Sequence, residues 1–89
     1  MTDARLFRVE PVDMLESDEG SLLLYQHRLV ALSPLGAATY ELVGDGVTRS
    51  GLAELLIETF GEPPGRSLTE AVDELVSSLL SEGVLRESD

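Results

Sequence analysis

The chain has no cysteine, no tryptophan, no lysine and no asparagine. Without cysteine there is no disulfide and no thiolate metal site, and the redox compartment stays open. Aromatic residues make up only 4%, so any core must be aliphatic, built mainly from Leu and Val. Base is scarce: all six basic residues are Arg, against 17 carboxylates, for a formal net charge of −11. That balance argues against non-specific nucleic-acid binding, which depends on phosphate neutralisation. It also disfavours an anionic membrane surface. No stretch approaches the ~20 apolar residues of a membrane span. The start, Met1-Thr-Asp-Ala-Arg-Leu-Phe-Arg8, holds no signal-length apolar run. The default expectation is a cytoplasmic protein with no membrane partner.

What is present suits one domain over residues 1–89: 43% hydrophobic residues, and enough length for one modest core. Residues 1–19 are the least regular. Leu6, Phe7 and Val9 suggest a short strand ending at Pro11, and the acidic stretch Asp13 to Gly20 reads as a solvated loop, apart from Met14 and Leu15, which are expected to pack locally. Ser21 to Tyr25 and Leu29 to Leu32 read as strands of a hairpin turning at Gln26-His27-Arg28.

Three helices should follow. Ser33-Pro34 marks the first, with Ser33 as cap and Pro34 where no amide donor is needed. Its apolar face is expected to carry Leu35, Ala38, Thr39 and Leu42, with Tyr40 and Val43 beside them, and Gly44-Asp45-Gly46 ends it. Thr48 opens the second helix, read over Ser50 to Phe60, with Leu52, Leu55, Leu56 and Phe60 as its stripe and Glu54 and Glu58 facing out. Gly61-Glu-Pro-Pro-Gly65 is a break. Ser67-Leu-Thr-Glu70 matches a capping box, and Leu68, Val72, Leu75, Val76, Leu79 and Leu80 recur at helical spacing until Gly83. Val84-Leu85 is expected to dock as a final extended piece. The order implies an α+β domain, winged helix-turn-helix-like, with a three-stranded antiparallel sheet followed by three helices.

Candidate chemistry is thin. His27 is the only histidine, in a turn with no second ligand at metal-binding spacing. No Ser/His/Asp or Cys/His constellation can be assembled. Gly44-Asp45-Gly46 lacks the Gly-Lys-Ser/Thr ending of a phosphate loop. The Asp-Ser-Leu of an acyl carrier protein is absent, Arg66-Ser67-Leu68 being the nearest approach. Glu70, Asp73, Glu74, Ser77 and Ser78 read as a solvated face of the third helix. No catalytic residue, metal or cofactor is expected.

Leu32-Ser-x-Leu-Gly36, Glu41-Leu-Val-x-x-Gly46, Thr48, the Gly/Pro break and Leu79-x-x-x-Gly83-Val-Leu85 together resemble the PqqD-like family, the recognition elements for precursors of ribosomally made, modified peptides (RiPPs). Ser33 stands where Asn is common, Gly36 matches, and Tyr40 takes the aromatic position. The family pattern places an Asp before the first apolar residue of the last helix, where this chain has Ala71. The resemblance spans roughly residues 20–86 and rests on the order and spacing of degenerate motifs.

It implies a non-catalytic adaptor. Such domains bind the leader segment of a precursor peptide by strand addition at the edge of the third strand, against the third helix. The implied peptide-binding residues are Leu29, Val30, Ala31 and Leu32 on the strand, and Val72, Leu75, Val76 and Leu79 on the helix. The stand-alone length implies presentation of the peptide to a separate maturation enzyme, such as a protease, cyclase or radical enzyme. The competing expectations are a winged-helix DNA-binding regulator, or another protein–protein interaction module.

Overall fold

A computed structural model describes residues 4–62, 64–65 and 67–88. Pro63 of the Gly/Pro break, Arg66 before the third helix and the Met1–Asp3 start lie outside the described residues. The chain forms a small α+β structure with antiparallel sheets and three helices. The elements run β1 (Arg5–Arg8), β2 (Asp13–Ser17), β3 (Gly20–Tyr25), β4 (Arg28–Leu32), α1 (Pro34–Val43), β5 (Val47–Thr48), α2 (Arg49–Phe60), α3 (Leu68–Ser81) and β6 (Leu85–Ser88).

Strands and helices interleave, which corrects the expected run of three strands and then three helices. Among the described residues there are two three-stranded sheets, ordered β5-β1-β6 and β2-β3-β4. The acidic stretch is a strand and a turn, not a loop. Met14 and Leu15 face Leu23 and Leu22 across the β2–β3 hairpin, and this pairing outweighs the weak strand preference of the surrounding acids. The expected first strand lies in the other sheet, where Arg5 to Arg8 pair with Leu85 to Ser88 on one side and Arg5–Leu6 with Val47–Thr48 on the other.

Local capping sets the helix starts. The side chains of Ser33, Thr48 and Ser67 accept the amides of Gly36, Gly51 and Glu70 at 3.1, 3.0 and 3.2 Å. Gly44 and Gly46 after α1 have φ of +55° and +136°, and Gly83 after α3 has φ of +76°.

The buried face of α1 is Gly36, Thr39, Tyr40 and Val43. This lies one residue on from the expected face, and Leu35 is 45% exposed. Gly36 packs in this face: a Cβ there would meet Ser33 Oγ at 3.3 Å and stand in ordinary contact with Leu32 Cβ at 3.7 Å and Leu79 Cδ2 at 3.8 Å. Thr39 keeps its buried hydroxyl satisfied by donating to the Leu35 carbonyl at 2.8 Å. In α2, Leu52 and Leu56 are buried, Leu55 is half-buried, and Phe60 is exposed, contrary to expectation. Leu6, Leu23, Val30, Leu32, Val43, Val72, Val76, Leu79 and Leu85 join them in one core. Each fully buried Leu or Val contributes about 1.5–3 kcal/mol.

Polar ties hold the two sheets to the helices. The Tyr25 and Tyr40 hydroxyls donate to the Val9 carbonyl at 2.8 and 3.4 Å. Arg49 bonds Glu87 at 2.7 Å and Asp73 at 3.1 Å, joining α2 to β6 and α3. That hydrogen bond draws the Glu87 carboxyl below its usual range and raises the Arg49 guanidinium.

Candidate functional site

β4 is an edge strand, with β3 on one side and no strand on the other among the described residues. Which of its backbone groups face outward follows from register. Tyr25 and Arg28 flank the turn Gln26–His27 and pair across it. Residues flanking a two-residue turn exchange both backbone bonds, and the pattern alternates from there. Arg28, Val30 and Leu32 therefore point their N–H and C=O groups at β3. Leu29 and Ala31 point theirs at the free edge. The opposite side of β3 agrees: the Val12 amide donates to the Leu24 carbonyl at 2.7 Å, so Leu24, the partner of Leu29, faces β2.

The two outer edges of this sheet differ. At the start of β2, Asp13 stands opposite Leu24, and the amide of Val12, between Pro11 and the strand, also bonds the Leu24 carbonyl. Glu16 adds a charge along that edge. Bulges, prolines and charges are the usual protections against an incoming strand. β4 has no proline from Arg28 to Leu32, its register with β3 is unbroken, and its one charge, Arg28, is turned onto the Gly83 carbonyl and the Tyr25 ring.

β4 is tied to the end of α3: Arg28 Nη2 donates to the Gly83 carbonyl at 3.1 Å, just past that helix, and Leu32 and Leu79 both lie near Gly36 of α1. Where β4 runs into α1, an open apolar pocket of about 610 Å³ is lined by Pro34, Leu35, Ala38, Leu56, Phe60, Leu68, Ala71, Val72 and Leu75, with Glu62 and Pro64 beside them.

The residues named from sequence divide by position. Leu29 and Ala31 are exposed on the edge, while Val30 and Leu32 are buried. On α3, Leu75 is half-buried and reaches the pocket, and Val72 reaches it from the core. Val76 and Leu79 are core residues at 0% and 3% exposure, where they support the helix from behind. The flank of α3 turned to the pocket is thus the Leu68–Ala71–Leu75 side. Sequence reasoning had assigned Leu35 and Phe60 to core faces, so the pocket was missed. Its only sequence signal was a large apolar residue at each helix end beside a Gly/Pro break.

No helix among the described residues is long and apolar enough to cross a membrane. No family model matches the chain, and no curated protein or solved structure matches it either.

Proposed function

We propose that the protein is a non-catalytic, PqqD-like adaptor that binds the leader segment of a RiPP precursor peptide and presents it to a separate maturation enzyme. The observation carrying this reading is the β4 edge, unpaired among the described residues and tied to the end of α3 through Arg28, with the Leu29 and Ala31 backbone groups directed outward. An added strand supplies partners for those four groups, and main-chain bonds of this kind provide affinity without demanding a particular sequence. The pocket past Leu32 receives a large apolar side chain of the same peptide and so sets its register. We read the β2–β3–β4 sheet and the three helices as winged helix-turn-helix-like in arrangement. Use of that arrangement on DNA has less support. The chain carries a net charge of −11, and Arg8, Arg28, Arg49 and Arg86 are engaged with carbonyls, carboxylates or aromatic rings of the protein itself.

Amide hydrogen exchange with a synthetic leader peptide from a precursor encoded beside the protein tests the reading. Leu29 and Ala31 should gain protection on peptide addition, while Val30, already bonded to β3, should change little. Saturable binding that leaves Leu29 and Ala31 unprotected would move the peptide elsewhere and refute strand addition at β4.

A further inference from the structure

The β2–β3–β4 sheet is apolar on both faces. Met14, Leu23 and Val30 form a rung toward the core. The opposite face carries Leu15, Leu22 and Ala31 on one rung and Asp13, Leu24 and Leu29 on the next. Leu15, Leu22, Leu24 and Leu29 are 66, 38, 45 and 61% exposed. An antiparallel sheet with one solvated face ordinarily places polar residues there. Scattered exposed leucines need no explanation, but leucines adjacent in register within a polar rim mark an interaction surface. Here the rim is acidic, with Asp13 at one end and the Asp18–Glu19 turn at the other, and none of the three is ion-paired among the described residues.

We propose that this outer face docks a second, different protein whose contact surface is apolar and flanked by basic side chains. Its peptide-dependent part rests on the adaptor reading, in which the docked protein is the maturation enzyme. Two considerations set a copy of this chain aside. Each copy carries a charge of −11 and would bring acidic rim against acidic rim. The face alone is also small, roughly 250 Å² for three short strands by strand spacing and rise against about 800 Å² per partner in a standard interface, so a partner must engage the rim as well, which a copy of this chain would meet with like charge. A basic partner turns the rim from repulsion into attraction and extends the contact beyond the leucines.

The face is continuous with the β4 edge, because Leu29 and Ala31 belong to both. Side chains directly opposite each other in a ladder lie on the same face. Peptide residues pairing with Leu29 and Ala31 therefore project beside them and widen the apolar strip by a fourth strand. The partner contacts protein and peptide together, so each ligand strengthens binding of the other.

The test places a photo-crosslinking benzoylphenylalanine at Leu24, and as a control at Glu58, exposed on α2, in cells that naturally make the protein. Leu24 should crosslink to one heterologous chain and Glu58 should not. That chain, identified by mass spectrometry and purified, should bind the wild-type protein in calorimetry. Leu15→Lys or Leu22→Lys should weaken it about tenfold, the scale of losing an interface anchor, without changing the melting temperature. A leader peptide should tighten it about fivefold, a typical coupling between linked sites. Crosslinks joining two copies of this chain, labelling no stronger than at Glu58, or an affinity unmoved by both lysine variants would overturn the docking face. A partner that needs the leucines but ignores the peptide would leave the face standing and overturn the composite surface.

Discussion

Arg28 Nη2 donates to the Gly83 carbonyl at 3.1 Å while its guanidinium lies 4.7 Å from the centre of the Tyr25 ring. One side chain thus clamps the tip of the β3–β4 hairpin onto the end of α3. Arg28→Met keeps an apolar stem and removes the donor. The expected cost is about 1 kcal/mol, the net worth of an ordinary hydrogen bond. Exchange at Gln26 and His27 should accelerate more than exchange in α2. Tip exchange identical to wild type would show that the bond does not hold the hairpin.

Val30 and Ala31 are neighbours with opposite backbone duties. Proline at Val30 removes a ladder bond to β3 and should cost about 3 kcal/mol or more. Proline at Ala31 removes a donor from the free edge, where sheets tolerate it. Circular dichroism melts should therefore separate the two variants. Leader titration of the folded Ala31→Pro protein should show a sharp loss of affinity. Wild-type affinity in that variant would exclude this edge as the binding site.

Gly20 opens β3 with φ of +130°, and a Cβ there would collide with the Leu32 carbonyl oxygen. Gly20→Ala should lose about 3 kcal/mol or more, since a strained φ alone costs of order 1–3 kcal/mol and the opposing atom is backbone. Gly44→Ala is the matched control: φ is +55° and nothing lies within 4 Å of its Cβ. Its ψ of −132° lies outside the left-handed helical well, so its expected cost is the backbone strain alone, about 1–3 kcal/mol. Urea melts of the pair compare them directly. Equal losses would mean that the approach of Gly20 to Leu32 relaxes freely.

Both tyrosines resist ionisation. Burial pushes the Tyr25 phenol up to about 12, with Tyr40 nearby adding to the shift, and burial raises Tyr40 as well. A phenol whose folded pKa lies above its unfolded value, near 10, favours folding in its neutral form. That stabilisation is complete below about pH 10 and is lost as pH rises from there through the folded pKa. The chain has only these two tyrosines, so phenolate absorbance near 295 nm reports them alone. It should appear late in the native protein and near pH 10 in denaturant. Coincident native and denatured titrations would contradict the packing around Val9.

Features set by neighbouring residues were legible in the sequence. Ser33, Thr48 and Ser67 each cap the amide three residues on, and two apolar runs separated by the short Gln26-His27-Arg28 stretch mark the hairpin, although Arg28 itself belongs to β4. Features set by distant partners were not. Asp13–Ser17 reads as solvated acid until Leu22 and Leu23 stand opposite it. β1 looks like a neighbour of the hairpin, yet its partners are Val47–Thr48 and Leu85–Ser88, far along the chain. The strand and helix elements of the candidate site were readable, but the outward parity of Leu29 and Ala31 depends on register. The exposed flank of α3 depends on how α1 and α2 frame the pocket beside it.

β1 lies at the centre of its sheet, and Arg5 stands opposite Ser88. The two ends of the described chain are therefore adjacent, and the fold is nearly a closed loop. A short linker across that gap would permit circular permutation, with new ends opened at the exposed Gly61 and Glu62 between α2 and α3. Conversely, trimming Arg5–Arg8 would strand both β5 and β6 without a partner. Affinity tags joined through flexible linkers should be well tolerated, whereas truncations at the start should unravel the far end.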